Sequence, residues 1–221
     1  MRFQDRRDAG RRLAALLAGQ VGADALVLAL PRGGVPVAAE VAGRLGLDMD
    51  VLLVRKLGVP GHEELAMGAI ATGGAVVLNE DLLDQLQIGQ AAIARVRARE
   101  QRELQRRERV YRGNRALPAL AGREVVLIDD GLATGATMRA AVAALRQQRP
   151  RKIVVAVPVA PPETVAILER EADAVLCLLT PSPFYGVGYW YQDFAQTTDE
   201  EVCGLLWHGG RRRAARDSPR S

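Results

Sequence analysis

Along this chain, continuous apolar runs alternate with segments whose apolar positions recur every three or four residues. Residues 8–18 carry Leu13, Leu16 and Leu17 on one side of an expected helix. Residues 25–30 are apolar throughout and end in Pro-Arg-Gly-Gly, which reads as a buried strand running into a tight loop. Residues 35–45 follow as a helix with Val37, Val41 and Leu45 in register, and residues 50–56 read as a second strand. Gly58, Pro60 and Gly61 make 57–64 a loop, and 66–71 and 75–78 are short strands flanking 72–74.

The stretch 79–112 has a different texture. Asn79 or Asp81 caps a first short helix, and a long helix starts near Gln90, rich in Arg, Glu and Gln. Its apolar stripe is thin (Ile93, Val96, Leu104 and Val110), as in a helix packed on one side and solvated on the other. After a connector at 113–122, the alternation returns: strand 124–130, helix 136–147, strand 152–159, helix 162–171, strand 174–179. Fully apolar strands separated by helices predict a parallel sheet covered on both faces. The expected fold class is α/β, a single-domain open parallel sheet flanked by helices. One domain over residues 1–208 contains an inserted helical segment at 79–112 and an irregular hood at 180–194. Residues 209–221 read as a disordered basic tail, since they offer no apolar anchors.

Composition narrows the classes. A chain of 221 residues can bury a core without disulfides. Cys177 and Cys203 lie in apolar surroundings, and His62 and His208 are isolated, so no Cys/His ligand spacing exists. Reduced cysteines, a charged start and the lack of a long apolar run point to a cytoplasmic protein without a membrane span. The formal net charge is +4, but the tail alone has five arginines and one aspartate, so the rest is nearly neutral. That balance argues against nucleic acid as a partner.

The chemistry concentrates at 125–137. There an apolar strand delivers Asp129 and Asp130 to the carboxyl edge of the sheet, and a loop with Gly131 and Gly135 leads into a helix near Ala136. Open α/β sheets bind ligands at that edge. A helix start offers free N–H groups and positive dipole to an anion, glycines let backbone close on a phosphate, and Thr134 and Thr137 add hydroxyl donors. Two carboxylates would repel a phosphate but suit ribose hydroxyls, directly or through Mg²⁺ and its waters. The combination describes a phosphorylated ribose. No Lys follows Gly135, as a P-loop requires, and a dinucleotide fingerprint would set both acids against pyrophosphate.

The string Asp129-Asp130-x-x-Ala133-Thr134-Gly135-x-Thr137 resembles the 5-phosphoribosyl 1-pyrophosphate (PRPP) motif of type I phosphoribosyltransferases. Hypoxanthine-guanine enzymes carry an acid where Ala133 stands; adenine phosphoribosyltransferases carry Ala, so the pattern is similar to the adenine type. More widely, the chain over residues 3–207 resembles a group of bacterial phosphoribosyltransferase-domain proteins whose acceptor is unsettled. Shared segments are P-R-G-G, R-K-L-G, E-L-A-M-G-A-I, Y-R-G, D-D-G-L-A-T-G-A-T and F-Y-x-V-G-x-W-Y-x-D-F.

The resemblance implies a Mg²⁺-dependent transfer from PRPP to a nitrogenous acceptor. It implies that Gly131, Ala133, Thr134, Gly135, Ala136 and Thr137 cradle the 5-phosphate. Asp129 and Asp130 would hold the ribose and metal. Arg32 and Gly33 would form the pyrophosphate loop, with a cis peptide between Pro31 and Arg32. Arg55 and Lys56 would face pyrophosphate. Taken alone, the first turn is also an ordinary glycine-rich turn, and Arg55 and Lys56 could equally be surface charges. A mobile loop is expected at 57–64 or 72–74, with Glu63 or Glu64 as the acid near the base. Phe184, Tyr185, Val187 and Trp190 of the hood are the acceptor-side candidates. The arginines Arg102, Arg106, Arg107, Arg109 and Arg112 would meet pyrophosphate, a second subunit in a homodimer, or solvent. The rival expectation is a PRPP- or nucleotide-binding regulator without catalysis.

Overall fold

The computed structural model describes residues 2–113 and 115–206. The predicted disorder of 209–221 lies outside the described residues. The chain opens with α1 (Arg6–Leu17), capped by the Asp5 carboxylate, which accepts from the Asp8 amide at 2.7 Å. Then come β1 (Leu26–Ala29), α2 (Gly34–Leu45) and β2 (Asp48–Val51). A second group follows: β3 (Val54–Val59), β4 (His62–Ala71), β5 (Val76–Leu78), α3 (Glu80–Gln85) and α4 (Gln90–Arg112). The remainder is β6 (Glu124–Ile128), α5 (Ala136–Gln147), β7 (Lys152–Val159), α6 (Pro162–Leu168), β8 (Ala174–Leu179), a 3₁₀ turn (Val187–Trp190) and helical residues 199–206.

Five strands form an open parallel sheet in the order β2-β1-β6-β7-β8. Successive residues point to opposite faces, and both faces are covered. Along β6, Val126 and Ile128 join the cluster under α1 and α2, while Val125 and Leu127 join the one under α5. That double burial is why these strands are apolar throughout instead of alternating. The predicted helix 136–147 and strands 152–159 and 174–179 coincide with α5, β7 and β8. The helix expected over 162–171 stops at Leu168.

The segment 48–71 departs from expectation. The strand read at 50–56 is two strands in two sheets. The Leu52 amide still donates to Ala29 O at 2.9 Å, extending the parallel sheet. The next amide, of Leu53, donates instead to the Thr72 hydroxyl at 3.0 Å, and the chain turns away. The loop expected at 57–64 is the tip of an antiparallel hairpin, with β3-β4-β5 as a separate three-stranded sheet. Gly58 marks a register shift: a Cβ there would sit 2.6 Å from Glu63 O. Gly61, at φ +80°, makes the tight turn beside Pro60. The glycines that suggested a loop are therefore the bulge and turn of a hairpin.

Helix α4 packs on this second sheet, and its C-terminus is tied to the first. Ile93, Val96, Leu104 and Tyr111 are buried, whereas Val110, expected on the stripe, is exposed. Two charged residues complete the packed face. Glu100 pairs with Arg55, Nη2 to Oε2 2.7 Å. Arg112, only 5% exposed, donates from Nε to Asp50 Oδ1 at 2.8 Å and also to the Val51 carbonyl. Arg112 is thus a buried tie between α4 and β2, not a surface cation.

Candidate active site

Strand β6 ends at Ile128, so Asp129 and Asp130 emerge at the carboxyl edge between β1 and β7. Asp129 Oδ1 accepts from the Asp130 amide at 2.8 Å. Burial, and next the negative charge of Asp130, push the Asp129 carboxyl well above the usual carboxylate range. Asp130 is fixed from outside the loop. Its Oδ2 receives Arg6 Nε at 2.7 Å, and its carbonyl accepts from the Tyr191 hydroxyl. Arg6 also donates to Ala195 O at 2.6 Å and lies over the Phe194 ring, 3.9 Å from the centroid. One guanidinium therefore joins the N-terminal helix, an acid and the segment after the hood.

The turn after β1 lies directly on these acids. A Cβ at Gly33 would fall 2.0 Å from Asp130 Oδ2, and one at Gly34 would fall 2.7 Å from Ile128 O. Neither position has room for a side chain. The Pro31–Arg32 peptide is cis, as the resemblance implied. Arg32 projects from this turn as an exposed residue, its Nη1 3.9 Å from Asp199 Oδ1.

The loop after the acids is held open by similarly close contacts. A Cβ at Gly131 would meet Val187 Cγ1 of the hood at 2.5 Å. The Leu132 amide is tied to Val159 O at 2.9 Å, and the Thr164 hydroxyl donates to Ala133 O at 2.6 Å. Gly135 starts α5 in the left-handed region, φ +71°, and its Cβ would press on Thr164 Cγ2 at 2.7 Å. Ala133, Thr134, Ala136 and Thr137 are exposed. The amides of Ala133, Thr134, Gly135 and Thr137 donate to no group among the described residues. Unpaired N–H groups at the start of a three-turn helix are donors that an anion can take.

The remaining sequence candidates are distributed differently. Arg55 and Lys56 are consecutive strand residues and so face opposite sides of the second sheet. Arg55 is committed to Glu100, and Lys56 Nζ lies 3.7 Å from the exposed Glu64 carboxylate, across the hairpin. Glu64 sits on β4, not on a loop. Around Arg32 stand other residues. A cavity of about 170 Å³ is lined by Arg32, Arg106, Arg107, Val110, Tyr111 and Asp199.

In the hood, Phe184, Val187 and Trp190 pack against Phe3, Ala9, Val159 and Tyr191. Tyr185 stands clear, 67% exposed, with its ring 5.1 Å from that of Tyr189. Sequence reasoning did not single out Arg6, Gly34, Tyr189, Tyr191, Thr164 or Asp199. Three of them left a signal: Gly34 as the second glycine of the turn, and Tyr189 and Tyr191 inside the aromatic run 184–194.

Comparison with known proteins adds the following. Residues 61–183 match the family described as phosphoribosyl transferase domain, a span that includes the acids and the phosphate loop but not the Arg32 turn. A Mycobacterium tuberculosis protein (strain ATCC 25618 / H37Rv), provisionally named a phosphoribosyl transferase, is 50% identical over 205 residues. The match covers 92% of this chain and 46% of that protein, so the chain spans about half the length of this relative. The corresponding protein of strain CDC 1551 / Oshkosh matches to the same extent. Among solved structures, TT1426 from Thermus thermophilus is 48% identical with a TM-score of 0.85, covering 94% of this chain and 99% of that one.

Proposed function

The chain belongs to the phosphoribosyl transferase domain family, and on that premise we propose that it transfers the 5-phosphoribosyl group of PRPP to a nitrogenous acceptor, such as a nucleobase, and releases pyrophosphate. The observation that carries this reading is the interlock at the sheet edge. The Gly33–Gly34 turn, the Asp129–Asp130 pair and the open start of α5 share one rim, with no space for a Cβ between the turn and the acids.

In this reading the 5-phosphate takes the amides and hydroxyls of 133–137. The ribose hydroxyls lie against Asp129 and Asp130, and pyrophosphate extends towards Arg32. The anomeric C–O bond to pyrophosphate breaks, a C–N bond forms, and the acceptor nitrogen gives up its proton. Positive charge developing on the ribose is stabilised by the neighbouring carboxylates. Arg6 and Tyr191 keep Asp130 oriented, and Arg32 stabilises the leaving anion.

Two adjacent carboxylates suit Mg²⁺, which keeps waters and shares substrate oxygens instead of needing a protein cage. Among the described residues no cluster of three or more His, Cys, Asp or Glu side chains could form such a cage. Asp129 and Asp130 would hold the ion, which supplies charge neutralisation for the diphosphate. The exposed Tyr185, beside Tyr189, is the ring best exposed to stack on a planar acceptor. Arg55, Lys56 and Glu64 keep their proposed pyrophosphate and acid roles only if the hairpin moves towards the rim. A cytoplasmic setting belongs to the same reading; both cysteines are unpaired thiols, and no described helix is long and apolar enough to cross a membrane.

The test incubates the protein with PRPP, Mg²⁺ and a panel of bases while following pyrophosphate release. Base-dependent release is expected, and Asp129→Asn with Asp130→Asn should cut it by on the order of a thousandfold or more with the circular dichroism unchanged. Release without any base would identify a hydrolase. Tight PRPP binding without release would identify a regulator. Unaltered turnover in the double variant would remove the ribose from these acids.

A further inference from the structure

The N-terminal helix places a cation directly on one of the rim acids. Asp129 Oδ1 already accepts from the Asp130 amide at 2.8 Å, and Asp130 Oδ2 from Arg6 Nε at 2.7 Å. The Arg6 and Asp130 side chains are only 12% and 14% exposed, so water screens their charges little. The same Asp130 oxygen lies against the turn after β1, where a Cβ at Gly33 would fall 2.0 Å from it. It is therefore hemmed in by backbone and by a guanidinium.

Arg6 is not committed to Asp130 alone. Its Nη1 donates to Ala195 O at 2.6 Å, and its guanidinium lies 3.9 Å from the centre of the Phe194 ring. Arg6 also lines a cavity of about 230 Å³ to which Asp130 does not contribute, and Asp5, Asp193 and Glu201 stand in the same wall. Glu201 meets a cation there only loosely, Arg7 Nη2 at 4.0 Å. A guanidinium that gives way at Asp130 thus keeps other acids and a carbonyl beside it, and is not left as an uncompensated charge.

We propose that Arg6 is a built-in counter-ion of the acid pair that competes with a divalent cation for Asp130, and so sets how tightly the pair holds that ion. Arg6 subtracts one negative charge from what the two acids present, and it repels a doubly charged ion at short range where screening is weak. The contact that orients Asp130 therefore also opposes the ion. That the acids take a divalent cation rests on the transferase reading; the competition is measured without substrate.

The effect has a sign that a purely structural role cannot produce, since loosening the site would weaken ion binding. Mn²⁺ is the probe, its free concentration read by electron paramagnetic resonance. Arg6→Met keeps an unbranched chain over the Phe194 ring but removes the charge, and should bind Mn²⁺ at least about tenfold more tightly than the wild type. Arg6→Gln, which can still donate to Ala195 O, is a second neutral variant with the same expectation. Arg6→Lys keeps the charge and should stay within about threefold of the wild type. Arg7→Met is the charge control: Arg7 is half exposed and lies 3.8 Å from Glu40 and 4.0 Å from Glu201, so its loss should leave Mn²⁺ affinity unchanged. Adding Asp130→Asn to Arg6→Met should erase the gain, because the competition needs both partners.

Circular dichroism confirms that each variant is folded. The proposal is overturned if neither neutral variant binds Mn²⁺ more tightly than the wild type, if Arg7→Met gains as much, or if the gain survives Asp130→Asn. Pyrophosphate release from PRPP with Mg²⁺ and bases runs in parallel. There Arg6→Met should reach half of its maximal rate at lower Mg²⁺ while that maximal rate falls, because Asp130 has lost its tether. Tighter Mn²⁺ binding with no base-dependent release in the wild type keeps the competition and drops the transferase reading. Base-dependent release with Mn²⁺ affinity unaltered in both neutral variants does the reverse.

Discussion

The parallel sheet and the α4 unit solve the same problem, fixing residues around one rim, by opposite means. Every residue of β6 is buried, and Asp129 and Asp130 are held in place because the strand beneath them packs on both faces. Helix α4 has 23 residues but only a thin apolar stripe, and it is anchored by two charge pairs, Arg55–Glu100 and Arg112–Asp50. The first unit is non-directional and tolerant of small shifts. The second depends on specific partners, since a buried ion pair adds little net stability but is costly when half of it is lost.

That contrast can be broken most directly at Arg112. Arg112→Ala leaves Asp50 buried without its cation and should cost about 3–5 kcal/mol in urea unfolding. Replacing both, Arg112→Met with Asp50→Leu, should restore most of that loss. If the double change costs more than the single one, the pair is a net source of stability and the contrast fails.

In the sheet, Leu127→Ala empties a fully buried site and should cost about 2–4 kcal/mol by the same measurement, with no dependence on salt or pH. A strong salt dependence would mean that the sheet too is held electrostatically.

The smallest effect is an acid response confined to the α4 unit. Burial raises the Glu100 carboxyl, but hydrogen bonds from Arg55 and Arg99 outweigh this and hold it below the ordinary value. A lowered folded value means that the pair's contribution is complete above the ordinary glutamate range and is lost as pH falls through the folded value. Hydrogen exchange, corrected for intrinsic rates, should show the α4 amides losing protection severalfold on acidification below that range while those of β6 keep theirs. Equal loss in both would indicate global unfolding instead.

The same contrast explains what could be read from the sequence. Apolar runs bounded by helical spacing gave α5, β7 and β8 their observed limits, because there the pattern and the packing coincide. At 48–71 they do not. Leu52 and Leu53 look like the middle of one strand, yet the first completes the parallel sheet and the second turns to Thr72. The stripe of α4 was misjudged at Val110 because two of its packed positions, Glu100 and Arg112, are charged.

At the candidate site, Asp129, Asp130, Gly33, Gly135 and the threonines were legible because strand, turn and helix are contiguous there. Arg6, Tyr191 and Asp199 were not. Their partners lie 124, 61 and 88 residues away, and a single sequence holds no sign of such pairs.

One contact at the opposite end of the site bears on how this protein can be handled. Phe3 is stitched to the hood as if it were a short strand: its amide donates to Trp190 O, and its carbonyl accepts from the Gln192 amide, both at 2.8 Å. The first few residues are therefore a thread sewn through the roof of the site. Trimming residues 2–5, a routine step in preparing protein, would pull that thread and free Arg6 along with it. A fusion partner attached at that end would sit close to the hood, whereas one placed on the far face of α5 would leave the hood untouched.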